Sequence, residues 1–322
     1  MWHDVCMSAL IAQVVRSGFV EGRHYGSAVV VDSTGQVIWS HGDIKSQIFP
    51  RSSNKLMQGL AMVRAGLPAN GELLALSCAS HSAEEFHIDG VHSLLNAAGL
   101  DVDALACPPD WPLDPVQKDT VLAEGLDKES IFMNCSGKHA AMLFTCVING
   151  WDTRTYLDLN HPLQQACKST IEEVTGEQIQ HIGIDGCGAP VMSTSLVGLA
   201  KAFGKFAGPS ADANQKKIAD AIRSNPQFLG GTRRDVTKLM QGVPGLLAKD
   251  GAEGVYAIGL GDGRALALKI DDGADRARIV VANSILKNIL NVVSAEVDRQ
   301  LSSQVLLGAG KPVGQIQATI KN

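Results

Sequence analysis

The chain has 322 residues, 45% of them hydrophobic and 19% charged, with a net charge of −5, an isoelectric point near 6.0 and a mean hydropathy of +0.06. That length buries a substantial core, and the mild acidity excludes the basic footprint that nucleic acid or an anionic membrane would require. Seven cysteines (Cys6, Cys78, Cys107, Cys135, Cys146, Cys167 and Cys187) are an odd, scattered set, which points to free thiols in a reducing, cytoplasmic setting.

Met1–Met7 holds His3 and Asp4 but no basic stretch, so it does not read as a secretory signal, and Ser8–Val15 is a short apolar run. No run reaches membrane-spanning length. Gly26–Asp32, Ser33-Thr34-Gly35 and Gln36–Ser40 read as strand, turn and strand. Leu56, Leu60, Val63 and Leu67 then form one apolar helix face that Pro68 ends. Gly71–Ala79 is apolar and fits helix or strand. Ser82 with Glu85 three residues on reads as a capping box opening a helix to about Ala98. Ala106–Asp119, rich in Pro and Asp, reads as loop. Helical patterns recur at Gly137–Ile148, His161–Val174, Thr194–Phe206, Asp212–Ser224 and Arg233–Gln241. Gly254–Leu260 and Ala265–Ile270 read as a second hairpin, followed by a helix near Ala277–Leu290. Strands at both ends with helices between predict one α+β domain over residues 1–322, whose sheet is assembled from distant segments.

Five segments could carry chemistry. Ser52-Ser53-Asn54-Lys55 spaces a hydroxyl and an amine three apart on a helix start, so the two can meet. A lysine serves a serine nucleophile only as the free amine, which needs desolvation or a neighbouring cation such as Arg51. Spacing alone reads Ser52 as a helix cap and Lys55 as a solvated first-turn residue. In Cys78-Ala79-Ser80-His81-Ser82 a serine beside a histidine invites a nucleophile–base reading, which sequence neighbours seldom form; His81 reads equally as structural, and Ser82 as a cap. Asn134-Cys135-Ser136-Gly137-Lys138-His139 crowds a thiol, hydroxyl, amine and imidazole onto a helix N-terminus, which favours oxyanions. Its glycine spacing is not that of a P-loop. Asp185-Gly186-Cys187-Gly188 follows an apolar run and suits close backbone approach, and Cys187 with Cys135 could join a metal site. Lys249-Asp250-Gly251 follows the S-x-x-K in the order seen in penicillin-interacting enzymes, with Asp in place of Thr and no S-D-N.

In this order and spacing the segments resemble the asparaginase II family, the Rhizobium-type asparaginases. The resemblance runs through Arg16–His24 (RSGFVEGRH), Pro50–Gln58 (PRSSNKLMQ), Cys78–His87 (CASHSAEEFH), Asn134–Met142 (NCSGKHAAM), Asp158–Gln164 (DLNHPLQ), Asp185–Pro190 (DGCGAP) and Gly254–Gly259 (GVYAIG). It implies a fold similar to serine β-lactamases and glutaminases, a homodimer, and hydrolysis of L-asparagine to L-aspartate and ammonia. It implies two Ser–Lys tandems matching Ser52–Lys55 and Ser80–Lys249, with Arg51, His139 and Asp185 near the substrate. It also implies a zinc site whose ligands match Cys135, Lys138 and Cys187. The chain departs from the family at Leu56, where proline is frequent, and the match at Lys249 rests on a short, gapped stretch. A glutaminase, a penicillin-interacting hydrolase and a degenerate amino-acid-binding protein are the alternatives.

Overall fold

The computed structural model describes residues 8–320; the readings made on residues 1–7, Cys6 included, lie outside them. In chain order the strands are β1 (Ala9–Arg16), β2 (Phe19–Val31), β3 (Val37–His41), β4 (Ile182–Ile184), β5 (Pro190–Met192), β6 (Leu247–Gly251), β7 (Val255–Gly259), β8 (Ala265–Ile270), β9 (Val305–Gly308) and β10 (Lys311–Ala318). The chain divides into two compact units, each drawn from separate segments. One takes Met1–Ser53, Thr194–Ser210 and Lys238–Asn322; the other takes Asn54–Ser193 and Ala211–Thr237.

The first unit is built on an eight-stranded sheet in the order β6-β7-β8-β2-β1-β10-β9, with β3 also pairing β2. The pairs are antiparallel, and segments from the two chain ends lie side by side, Ala12 opposite Ala318 and Val29 opposite Ala267. The α+β class and the sheet assembled from distant segments are thus as the sequence predicts. Ala28–Val31 of β2 is buried at every position, so both faces are covered there. The helix Leu196–Ala207 packs against β2, and it and the helix Asp275–Asn288 both pack against β8. The first comes very close: a Cβ on Gly259 would collide with the Phe203 carbonyl, so only glycine fits at that crossing. Lys249-Asp250-Gly251 does not merely precede a strand. It lies on β6, an edge strand paired with β7, Lys249 opposite Ala257.

The second unit is helical, with one small β4–β5 pair. The ambiguous segment at 71–79 is the helix Gly71–Ser77. The predicted cap at Ser82 is corrected: the helix is Glu85–Ala97, and Ser82 donates its hydroxyl to the Gly230 carbonyl at 2.7 Å. The reason is local. Ala83 takes φ +57° and Glu84 is extended, so the chain turns twice before it coils, and the Glu84 N–H donates to His87 Nδ1 at 3.1 Å. The predicted loop at 106–119 is corrected in its second half. Asp114 accepts from the N–H groups of Val116 and Gln117 at 2.9 and 3.2 Å and opens the helix Pro115–Ala123. The helices Lys55–Arg64, Ser136–Asn149, Pro162–Thr175 and Ala213–Ser224 lie within a few residues of their sequence predictions. No described helix is long and apolar enough to cross a membrane.

Candidate active site

The helical unit gathers most of the side chains singled out in the sequence. Lys55 opens the helix Lys55–Arg64 and is buried, not solvated as its first-turn position alone predicts. Its Nζ donates to the Ala79 carbonyl at 2.5 Å, to Ser80 Oγ at 3.0 Å and to Cys135 Sγ at 2.9 Å. Ser80 and Lys55 are only 5% and 2% exposed, so their contact is a dry one. The backbone holds the Ser80 loop at both ends. Ser80 N donates to the Leu229 carbonyl and His81 N to the Asn134 carbonyl, each at 3.0 Å.

His81 is buried and held at both ring nitrogens. Its Nδ1 accepts from Ala83 N at 3.1 Å, so its Nε2–H donates to Ser136 Oγ at 2.8 Å, and the Ser136 hydroxyl in turn donates to the Ile131 carbonyl. Burial, then the nearby charges of His87 and Lys55, hold it well below the usual histidine range.

Cys135 ends the loop before the helix Ser136–Asn149, which places Lys138 and His139 in its first turn. That helix can start here because of Gly137. A Cβ at that position would lie 2.7 Å from Leu76 Cγ and 2.8 Å from the Leu76 carbonyl oxygen. Cys187 sits in a tight turn in which Asp185 N donates to Ala189 O at 2.9 Å and Gly188 N to Asp185 O at 2.8 Å. Gly188 supplies the left-handed backbone at φ +84°.

Lys138 Nζ lies 3.4 Å from Cys187 Sγ. The Cys135 thiol hydrogen-bonds Cys187 and, with Lys138 and His139, holds the Cys187 thiol far below its usual range. The same hydrogen bond, together with burial, pushes Cys135 up. Burial lowers Lys138, but the charges of Cys187, Cys135 and Asp185 outweigh it and leave the amine more basic than usual.

Two thiols and an amine are a donor set that fits zinc once Cys135 and Lys138 have lost their protons. Among the described residues no group of three or more His, Cys, Asp and Glu could hold a metal ion, so such a site would depend on Lys138.

The sheet unit carries Arg51, Ser52 and Lys249. Arg51 adopts φ +51°, a strained backbone for a side chain of its size, immediately before half-buried Ser52. Its guanidinium lies 4.0 Å from Glu253. Ser53, the serine beside the predicted one, is spent on structure, its hydroxyl donating to the Lys249 carbonyl at 3.1 Å. Lys249 is fully buried, and its Nζ donates to Asp250 Oδ1 at 2.7 Å and to the Asp250 carbonyl at 2.8 Å. Arg278 reaches the other Asp250 oxygen at 3.3 Å and lies over the Tyr256 ring.

Sequence reasoning missed Tyr156, whose hydroxyl meets His139 Nδ1 at 2.7 Å, and it missed Arg278. Neither lies in a motif that spacing could flag.

The chain matches the family model of L-asparaginase II over residues 12–318. No curated protein matches it. Among solved structures it is similar to a β-lactamase from Mycobacterium bovis at 14% identity, covering 81% of this chain and 93% of that one with a TM-score of 0.45. It is similar to Mglu in its native form at 13% identity, covering 83% and 65% with a TM-score of 0.41, and so spans less than two thirds of that protein. A Bacillus subtilis glutaminase, in covalent complex with 5-oxo-L-norleucine, is similar at 12% identity, covering 79% and 82% with a TM-score of 0.36.

Proposed function

The chain belongs to the L-asparaginase II family and so to the amidohydrolases, and from that premise we propose that it hydrolyses the side-chain amide of L-asparagine to L-aspartate and ammonia. The observation that carries the reading is buried Lys55 Nζ at 3.0 Å from Ser80 Oγ. A serine hydroxyl becomes a competent nucleophile when a neighbouring base takes its proton, and a buried amine is such a base in its neutral form.

In this reading Ser80 Oγ bonds to the side-chain carbonyl carbon while its proton passes to Lys55. Collapse of the tetrahedral centre breaks the C–N bond, and Lys55 returns the proton to the departing nitrogen as ammonia. Water then adds to the acyl-enzyme, aspartate leaves and Ser80 regains its hydrogen. The oxyanion would be met by backbone N–H groups at a helix start. The resemblance pairs Ser52 with Lys55 and Ser80 with Lys249; Ser52 and Lys249 are the remaining serine and lysine of that set, and Arg51, His139 and Asp185 bind the substrate. The zinc implied by the family would be held by Cys135, Lys138 and Cys187 and would supply fixed positive charge that grips the substrate. A homodimer and a cytoplasmic setting go with this reading, the latter supported by the free, buried thiols of the described residues.

Ammonia release from asparagine tests the reading, with glutamine and a chromogenic β-lactam run beside it and a chelator in a parallel arm. Ser80→Ala and Lys55→Met should each lower turnover of asparagine about 10³-fold. Near-wild-type turnover in both Ser52→Ala and Ser80→Ala would sink the mechanism. Preference for glutamine would move the substrate while leaving the chemistry intact.

A further inference from the structure

His139 and Tyr156 share a proton whose position can be counted. Tyr156 is buried, and its hydroxyl oxygen accepts from Ala106 N at 3.1 Å and lies 2.7 Å from His139 Nδ1. Two arrangements satisfy that short contact. If Nδ1 carries the hydrogen, the Tyr156 oxygen accepts twice. The phenol hydrogen then has no partner, and His139 Nε2 is a buried lone pair that also has none. If instead the phenol donates to Nδ1, the phenol hydrogen and Nδ1 are both satisfied and one buried group remains, the Nε2–H. Buried polar atoms without partners are strongly disfavoured, so the second arrangement wins by one such atom.

From this geometry we infer that Tyr156 is a positioning residue, which fixes His139 as an Nε2–H donor aimed into the Cys135–Cys187 cluster. Nε2 makes no hydrogen bond of good geometry, although the ring stands close enough to Cys187 to favour its thiolate. A buried donor held ready in this way fits an acceptor atom that arrives with the substrate, a carboxylate or amide oxygen. The inference deepens the proposed function and rests on it for the identity of the acceptor, but not for the tautomer.

The test is a two-bond ¹H–¹⁵N correlation spectrum of the full chain labelled at histidine, with His139 assigned by its loss in His139→Ala. The expected spectrum shows His139 neutral and protonated at Nε2. Tyr156→Phe should mix the tautomers and raise KM for asparagine about tenfold with a smaller change in kcat, the scale of one lost hydrogen bond. His139→Gln, whose amide keeps a donor there, should retain more affinity than His139→Ala. A wild-type spectrum showing Nδ1–H overturns the inference, and so does a Tyr156→Phe enzyme with unchanged tautomer and KM. Should Tyr156→Phe not fold, the wild-type spectrum alone decides. A spectrum as expected in an enzyme that releases no ammonia would defeat the proposed function and leave the role of Tyr156 standing.

Discussion

Replacing Gly137 by alanine sets two effects of opposite sign against each other. Gly137 is the second residue of the helix Ser136–Asn149, and alanine in a helix is about 1 kcal/mol better than glycine. Against that, the new Cβ would stand 2.7 Å from Leu76 Cγ and 2.8 Å from the Leu76 carbonyl oxygen. The leucine side chain can turn away, but the carbonyl belongs to the helix Gly71–Ser77 and cannot move alone. Overpacking against backbone costs about 1 to 3 kcal/mol, so the net should be a loss of up to about 2 kcal/mol. It should appear as a lower urea midpoint at unchanged m-value. Because the helix start carries Cys135, Lys138 and His139, amidase activity should fall further than stability alone explains. Adding Leu76→Ala should not restore either property, since the carbonyl remains. A Gly137→Ala protein more stable than the parent would refute the packing argument.

The protein should lose stability in mild acid. Burial holds His87 neutral, with its pKa lowered to about 4. Its stabilising contribution is complete above the unfolded value near 6.5 and is lost as pH falls from there toward 4, about 3 kcal/mol at about 1.4 per pH unit. Urea midpoints from pH 7 to 4 measure this loss, and His87→Gln should flatten it. Asp114→Ala removes both the cap of the helix Pro115–Ala123 and a two-pronged bond to Arg233, and should cost about 1 to 2 kcal/mol by chemical denaturation. Cys146 and Cys167 are buried thiols pushed up to about 12, so iodoacetamide at pH 8 should spare both until the chain is unfolded. Labelling of either at the rate of a free thiol would contradict their burial.

Much of this was legible in the sequence because it is local. The helices with an apolar face and a clear stop lie close to their predicted spans, and the hairpins around Gly35 and Gly263 follow from their turn residues. The strands β1, β9 and β10 were not legible. Each is held by a partner distant in the chain or by an irregular pairing, with bulges in the β1–β2 and β9–β10 ladders that break the alternation. At the site, the motif residues were found from their company rather than their spacing. Lys55 was pulled from solvent into a dry cluster by Ala79, Ser80 and Cys135, none of them within twenty residues of it. Tyr156, seventeen residues after His139, carries no pattern at all.

The sheet that joins both ends of the chain has a bearing on how the protein is made. The helical unit draws on Asn54–Ser193 and Ala211–Thr237, all of it ahead of the last strands, so its contacts are available while the chain is still being synthesised. The sheet unit has no such freedom. Ala12 waits for Ala318 and Val29 for Ala267, so β1 and β2 leave the ribosome with an edge exposed until the last strands arrive. Ribosome-bound chains stopped before β8 should therefore hold a folded helical unit beside sticky, unpaired strands. Yield in the cell should respond to chaperone supply more than the stability of the finished fold suggests.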